Sequence, residues 1–450
     1  MRRPHKGTHF IFGAVTLAAA LAAPVVAQQD AQPPHKLTMK EAIERGLKSN
    51  LRVLAAGTRM DEAAGTRERR LANLLPRARA ESVATLQNRN LRAFGLSAPG
   101  IPPVVPLFSV YDMRVYAEQP VFDRQSYHAW KASEQQQQVA REDYQDIRDL
   151  IIRQVAGLYL SAQAAAARVE AAQSRVTTAE ELLRLARERH DAGVATGVDV
   201  LRADVQLANE RQRLLESRND TAQALLLLAR NIGMAPGTPL ELAEPLRFQP
   251  LEPPAVESLL PGALDARADY RSIATQRETL LLQQKSSRAR YLPKVSVGGD
   301  YGGSGRSFGE LRRTGSLHGG VSITLFDRDR KGEQMELESR LRRIDYQLAD
   351  LRLGIEQEVR EALLDMQSSA EQVAVAEQGR VLAQKELELA RERFQAGVAN
   401  NIEITSAQDA LSRALENYIL AVSRHSDAKI ALARALGATE QIYAQYLGIQ

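Results

Sequence analysis

The sequence predicts a mainly α-helical protein with a small β part, built from two copies of one helix-and-hairpin unit. The first observation is that LARERHDAGVA at residues 185–195 recurs as LARERFQAGVA at residues 389–399, an offset of 204. The second is that residues 129–190 contain no proline and only one glycine, as expected for a very long helix. The third is a set of short segments in which polar and apolar residues alternate, a pattern typical of strands.

Two further matches share the offset of 204. LARNIG (228–233) matches LARALG (432–437), and VFDR (121–124) matches LFDR (325–328). Agreement of three separate motifs at one offset indicates a true internal repeat and not a chance similarity. The repeat therefore determines the predicted architecture.

A fourth match has a different offset. LLP (74–76) corresponds to YLP (291–293), which is 217 residues away. The first repeat therefore carries 13 more residues between its Leu-Pro and its Phe-Asp-Arg. The extra length coincides with a stretch rich in Gly and Pro, so we expect a longer loop near Phe94 to Pro106.

The repeats and the composition divide the chain into five expected parts. They are a signal peptide at 1–27, a first repeat at 28–233, a proline-rich linker at 234–265, a second repeat at 266–437 and a C-terminal tail at 438–450.

The amino terminus has the features of a secretory signal. Arg2, Arg3 and Lys6 form a basic start, and residues 10–23 are apolar. Val-Val-Ala, ending at residue 27, is a small-residue cleavage site. The alternative is a membrane anchor, but the apolar stretch is short for a span of ~20 residues. We expect an exported chain.

Charge and composition exclude several classes of protein. The chain has 59 basic and 55 acidic residues, and three of the basic ones lie in the signal. The remaining balance of 56 against 55 gives no support for nucleic-acid binding. Cysteine is absent, which excludes disulfides and a lipid anchor on cysteine.

No pattern points to catalysis, to a metal or to a cofactor. The seven histidines are scattered, without the spacing of metal ligands. GGDYGGSG at residues 298–305 lacks the dinucleotide and phosphate-loop patterns, and we interpret it as a hairpin loop. We therefore expect no enzyme and no catalytic residues.

Proline and glycine mark the ends of the expected helices. Pro76 and Pro293 end the helices that precede the strands, and Gly193 and Gly397 are typical left-handed C-caps. A helix over residues 129–190 would be about 90 Å long. Helical periodicity alone is equally compatible with an ordinary coiled coil.

The four alternating segments predict strands at about 77–90, 107–121, 294–302 and 315–326. The chain after the signal has no stretch of ~18 apolar residues, so an exported chain that crosses a membrane would do so as a closed barrel. Barrels start at about eight strands, so four strands would have to be shared between chains. Two chains would supply eight strands and three would supply twelve, and the residues alone do not choose.

The repeat and its motifs resemble the TolC-like outer-membrane efflux family over essentially the whole chain after the signal. LTMKEAIERGLKSNLRVLAA (37–56) is similar to the family's N-terminal helix entry, and RADY (267–270) to the start of its second repeat. Leu-Pro before each hairpin, Phe-Asp-Arg after it and Ala-Gly-Val-Ala at each helical tip occur in the family's order, twice.

The resemblance implies a homotrimer with a shared twelve-stranded transmembrane β-barrel in the outer membrane. It implies that the long helices continue this barrel as an α-helical barrel across the periplasm. The channel would be a passive exit duct in a tripartite efflux or type I secretion system. Its partners would be a periplasmic adaptor and an inner-membrane pump.

The resemblance also implies two kinds of site at the helix tips. The adaptor would meet two turns, at Gly193, Val194 and Ala195 and at Gly397, Val398 and Ala399. A pore-facing acidic residue of the family matches Glu403, and the counterpart of Glu403 in the first repeat is Asp199. A second acidic position of some members is occupied here by Ser406, and by Arg202 in the first repeat. The alternative is that both acids only complement helix dipoles.

Two other functions remain open at this point. One is a periplasmic coiled-coil adaptor, which has a single hairpin of long helices and a separate β domain. The other is a structural coiled coil without a pore. The two-fold repeat argues against the adaptor, and membrane fractionation would separate the channel from the structural protein.

Overall fold

A computed structural model describes residues 35–96, 99–251, 256–396, 398 and 401–448. The expected signal peptide, residues 1–27, lies outside the described residues. Within them, helices dominate and the strands form one larger and one very small sheet. The predicted class, mainly α with a small β part, is confirmed.

The first repeat begins with a short strand and two helices. Thr38 caps the first of these helices by accepting a hydrogen bond from the Glu41 N–H at 3.1 Å, and Asn50 caps the second by accepting from the Arg52 N–H at 2.9 Å. In order, the elements are β1 (His35–Leu37), α1 (Met39–Ser49), α2 (Leu51–Leu71), β2 (Arg77–Asn90), β3 (Val104–Phe122), α3 (Arg124–Asp191) and α4 (Gly197–Asn231).

The second repeat has the same order after a connecting segment. In sequence, the elements of this part of the chain are β4 (Leu240–Leu242), α5 (Val256–Ala266), α6 (Ala268–Arg288), β5 (Lys294–Gly305), β6 (Arg312–Ser322), α7 (Asp329–Gln395), α8 (Asn401–Ala435) and α9 (Thr439–Leu447). β4 pairs in parallel with β1, and α9 packs on α8 and α3. The linker and the tail thus contribute to a belt around the middle of the long helices.

The two long helices are close equivalents of each other. α3 has 68 residues and α7 has 67, which corresponds to about 100 Å each. Each returns through a shorter helix, α4 or α8, of 35 residues. No helix in the described part of the chain combines the length and the apolarity that crossing a bilayer requires.

The larger sheet joins the two repeats. Its order is β2-β3-β5-β6, antiparallel throughout, so the central pair β3–β5 links one repeat to the other. The outer sides of β2 and β6 have no partner strand among the described residues. Within one chain the sheet is therefore open at both edges.

A polar cluster on one face holds the two repeats together across the sheet. The Arg114 guanidinium on β3 contacts the carboxylates of Asp112 at 2.8 Å and of Asp300, on β5, at 2.5 Å. It also donates to the Thr314 hydroxyl on β6 at 2.8 Å. Asp112 and Arg114 lie on the polar face that the alternation predicts.

Two expectations about the second hairpin need correction. The glycine-rich residues 298–305 form most of β5 and are not a loop. Glycine is needed there because the backbone of β3 is close: a Cβ on Gly302 would lie 2.1 Å from the Met113 carbonyl oxygen. The fourth strand ends at Ser322, not at 326, because Ser322 pairs with Lys294, the first residue of β5. Residues beyond Ser322 have no strand to pair with among the described residues.

The main apolar core lies at the belt, where α3 meets α1, α4 and the terminal segments. Tyr159 is fully buried there, with Ile151, Ile152 and Val155 one to two turns earlier on α3. The Tyr159 hydroxyl donates to the backbone carbonyl of Leu37 at 2.9 Å. A second core packs α5 and α7 against α8.

Partly buried ion pairs connect the first repeat to the last helices at the same level. Arg434 on α8 pairs with Asp146 on α3, and Arg148 pairs with Glu440 on α9. Asp149, one turn from Asp146, is 2% exposed, and burial raises the pKa of its carboxyl to about 6. Nearby carboxylates add to this shift, while Arg434 opposes it.

The raised pKa makes Asp149 a stability cost at neutral pH. The folded state holds a proton more tightly than the unfolded state, so stability falls as the pH rises from about 4 to about 6 and stays lower above that range. We expect Asp149→Asn to raise the free energy of unfolding by about 2 kcal/mol at pH 7.5 and to have no effect below pH ~4.

The measurement is the midpoint of thermal unfolding in detergent at the two pH values. Asp350→Asn, at an exposed position on α7, is the matched control and should change neither midpoint. A lower midpoint for Asp149→Asn at pH 7.5 would contradict the expectation.

Candidate functional site at the helix tips

The first helical tip is a tight turn between α3 and α4. Gly193 has φ 73°, a left-handed conformation that few other residues adopt without strain. The Val194 N–H donates to the Arg189 carbonyl at 2.9 Å and so closes the end of α3. Val194 is 64% exposed at the outermost point of the turn.

Asp199 has a structural role at the start of α4. The backbone N–H and the hydroxyl of Thr196 donate to its carboxylate at 3.0 and 2.7 Å, which completes a capping box. These hydrogen bonds lower the pKa of Asp199. Its carboxylate is therefore ionised and held at the helix start, as the alternative interpretation of this residue expects.

The second tip is described only in part. Gly397 and Ala399 lie outside the described residues, and Val398 is 67% exposed. The Val398 N–H donates to the Arg393 carbonyl at 3.0 Å, matching the bond between Val194 and Arg189 in the first repeat. The two tips thus share the bond that ends the long helix.

Glu403 lies in the first turn of α8 and pairs across its own hairpin. The Arg393 guanidinium on α7 donates to its carboxylate at 2.8 Å. The side chains are 56% exposed for Arg393 and 42% for Glu403, so solvent screens the pair and its contribution to stability is about 1 kcal/mol or less. Part of the charge of Glu403 is thereby compensated within the chain.

The counterpart arginine in the first repeat makes a different contact. Arg189 reaches the second hairpin, where its guanidinium lies 4.6 Å from the centre of the Phe394 ring and donates to the Phe394 carbonyl at 2.6 Å. Sequence analysis did not single out these residues. The sequence does contain a signal for them, because Arg189 and Arg393 occupy matching positions of the repeated motif.

An apolar cluster beneath this contact packs the two hairpins together. Leu182 on α3 packs with Leu387 and Phe394 on α7 and with Ile404 on α8. Ile404 is fully buried. Both turns, at Val194 and Val398, therefore lie at one end of the molecule.

A groove lies between the first turns of α4 and α8. It has a volume of about 530 Å³ and presents aliphatic side chains that are all more than half exposed. These are Val198, Leu201, Val205 and Ile402. Polar side chains, including Arg202, Ser406 and Asp409, complete its lining. Among the described residues, no group of His, Asp and Glu could hold a metal ion.

The comparisons assign the chain to a family of channels. The family model described as "Outer membrane efflux protein" matches residues 42–234 and 259–438, which is well over half of the chain. The chain belongs to the outer membrane efflux protein family, so it is an outer-membrane protein. The family resemblance drawn from the sequence motifs is confirmed.

Curated relatives are similar at low identity. The alkaline protease secretion protein AprF of Pseudomonas aeruginosa is 24% identical over 322 residues, which cover 68% of this chain and 66% of AprF. The pyoverdine export outer membrane protein OpmQ of the same species is 24% identical, with 88% and 84% covered. The match to the putative multidrug resistance protein MdtQ of Shigella flexneri spans 61% of that protein.

Solved structures share the fold. The outer membrane protein VceC of Vibrio cholerae superposes with a TM-score of 0.77 at 20% identity, covering 89% of this chain and 96% of VceC. The open-state channel MtrE of Neisseria gonorrhoeae gives a TM-score of 0.74 at 17% identity, with 89% of each chain covered. The predicted fold class is confirmed, whereas the roles of Glu403, Asp199 and the tip turns remain predictions.

Proposed function

We propose that three copies of this chain form a passive exit channel of the outer membrane, with residues 28–233 and 266–437 as the two repeats of each copy. The observation that carries the proposal is the sheet β2-β3-β5-β6, which is open at both edges. A bilayer offers no water to satisfy unpaired backbone groups, so these edges need partner strands. β6 of one copy pairing with β2 of the next would close the sheet.

The helices support the same arrangement. Within one chain, α3 packs against α4 and α8, and α7 packs against α8, which leaves α4 and α7 at the two sides. Both carry large exposed apolar side chains along their length. Examples are Leu215 and Leu226 on α4, and Leu364, Leu382 and Leu389 on α7. Contact between α4 of one copy and α7 of the next would bury these residues and continue the channel below the barrel.

The proposed partners are a periplasmic adaptor and an inner-membrane pump. AprF is described as a secretion protein and OpmQ as an export protein, and both are similar to this chain. The tips offer a matching contact surface, since Val194 and Val398 are exposed and the groove beside them is aliphatic with a polar rim. Such a surface suits the tips of an adaptor's helical hairpins.

Glu403 is the proposed selectivity residue of the closed end. Three chains would place three copies around the axis, and a ring of a few charges is enough to select ions in a narrow pore. Arg393 compensates part of this charge. We assign Asp199 mainly to the capping box of α4, with a smaller contribution than Glu403 to the negative charge at the closed end of the pore.

The assembly is tested by mass measurement in detergent together with conductance in planar bilayers. We expect a trimer that conducts. Either a monodisperse monomer with its full strand content or a non-conducting trimer would contradict the proposed channel.

Two charge changes at the pore end should have opposite effects on ion selectivity. Glu403→Gln removes three negative charges from the trimer and leaves three arginines unpaired, so the cation-to-anion permeability ratio should fall. Arg393→Gln removes the positive charge that lies 2.8 Å from the Glu403 carboxylate, so the ratio should rise. Reversal potentials in a salt gradient measure both. Asp204→Asn, at an exposed position further along α4, serves as the control. Unchanged reversal potentials in both variants would reduce Glu403 to a helix-start residue.

Adaptor contact is tested at the two turns. Val194→Trp and Val398→Trp should weaken export several-fold because the enlarged side chains obstruct docking, while conductance of the purified channel stays normal. Both valines are exposed, so folding should not suffer. Leu96→Trp, at an exposed position at the loop end of the larger sheet, is the size-matched control. Normal export by both tip variants at parental expression would argue against this contact surface.

A further inference from the structure

The four junctions between helices and strands lie side by side at one end of the larger sheet. The strand register shows this directly, because Arg77 pairs with Glu118, near the end of β3, and Lys294 pairs with Ser322, the last residue of β6. Residues 67–79, 122–131, 285–294 and 326–331 make up these junctions, and we call them the rim. The long helices leave the rim on the side away from the strands.

The rim is strongly basic. Fourteen of the 59 basic residues lie in it, but only four of the 55 acidic ones do, which gives a net charge of +10. Elsewhere the chain has 45 basic and 51 acidic residues, a net charge of −6. The concentration of positive charge is therefore local and opposite in sign to that of the rest of the molecule.

The two repeats reach the same rim charge by different residues. Each contributes seven basic and two acidic residues, or +5. The positions do not coincide: at the offset of 217, Arg69 and Arg70 correspond to Ser286 and Ser287, while Arg288 corresponds to Leu71. The repeats thus share the charge of the rim and not its individual side chains.

Much of this charge is exposed and uncompensated. Arg69, Arg70, Lys285, Arg288, Arg328 and Lys331 are exposed, and no carboxylate lies within salt-bridge distance of them in the described part of the chain. Other rim cations do have partners: Arg290 pairs with Asp327 and Asp329 at 3.0 Å. The six free cations are available to an anionic partner.

Apolar and aromatic residues lie among the basic residues of the rim. Leu325 and Phe326, three and two residues before Arg328, are 90% and 83% exposed, and Leu292 is exposed two residues before Lys294. Tyr127, under the Arg124 guanidinium, and Trp130, under the Lys131 ammonium, follow on α3. Apolar, aromatic and basic residues close together are typical of the boundary between the hydrocarbon and the headgroups of a bilayer.

We propose that the rim binds the phosphate groups of anionic phospholipids in the leaflet that faces the periplasm. The proposal rests on the strands being the membrane-spanning part of the proposed channel, which places the rim at the level of the headgroups. The six free cations have no carboxylate partner among the described residues, and phospholipid phosphates supply the negative charge that compensates them. Each basic residue near an anionic surface contributes roughly 1 kcal/mol, which corresponds to about a fivefold preference.

The test compares spin-labelled phosphatidylglycerol with spin-labelled phosphatidylethanolamine around the full-length channel in phosphatidylethanolamine vesicles. The immobilised fraction of each label gives their relative association constants. We expect about a fivefold preference for phosphatidylglycerol at low salt, decreasing as salt screens the charges. Changing all six free cations to Gln should bring the ratio close to one.

A matched variant changes six exposed basic residues away from the rim to Gln. These are Arg52, Arg230, Arg342, Arg343, Arg352 and Lys385. It should keep the preference of the parent. Equal association of the two lipids with the parent at low salt, or a preference that survives loss of the rim charges, would overturn the proposal. So would an equal loss of preference in the matched variant.

Two additions keep the test informative whatever the variants do. If the rim variant does not assemble, two measurements remain: the salt dependence of the parent, and a variant with Lys at the four arginines among the six free cations. Both the parent and this variant should prefer phosphatidylglycerol at low salt. Conductance measured in parallel separates this proposal from the channel itself. A rim variant that alters anion permeability but keeps the lipid preference would assign the charges to passing cargo and overturn the lipid site.

Discussion

The open edges of the four-stranded sheet are the constraint on which the rest of the structure depends. β2 and β6 each present a row of backbone donors and acceptors that no other described strand of the chain satisfies. In a membrane this is tolerable only if another copy supplies the missing strands. The antiparallel order of the sheet also determines where the chain enters and leaves it. Each strand begins and ends either at the rim or at the loops on the opposite side of the sheet. The long helices are thereby forced to leave together on one side.

The internal repeat lets one chain supply four strands and two helical hairpins, but the two repeats do not make identical contacts. The backbone bonds that end α3 and α7 are equivalent, but the arginines of the repeated motif are not: Arg393 pairs with Glu403, whereas Arg189 crosses to Phe394. Within one chain, the Arg189 side chain of the first hairpin makes the crossing contact, and Phe394 of the second hairpin supplies the carbonyl and the ring that it meets. Each chain therefore has one hairpin that reaches out and one that receives.

The sequence predicted the elements that depend on local signals. Prolines after Leu75 and Leu292, the left-handed turn at Gly193 and the alternation in β3 are all encoded within a few residues. It failed where a distant strand decides the outcome. The glycines of β5 suggested a loop because local propensity favours one, but Gly302 is required by the carbonyl of Met113, almost 190 residues earlier in the chain. The end of β6 is likewise set by the start of β5.

The same limit applies to the candidate site. The repeated motif indicates that Asp199 and Glu403 are equivalent, yet their hydrogen bonds differ, because Thr196 binds Asp199 while Arg393 binds Glu403. A capping carboxylate is held by its own helix, so its charge is committed to the helix end. A carboxylate paired with an exposed arginine can exchange that partner for water or an ion at little cost. Of the two acids, Glu403 is therefore the better candidate for the selectivity residue that we propose, although the sequence presents them as copies.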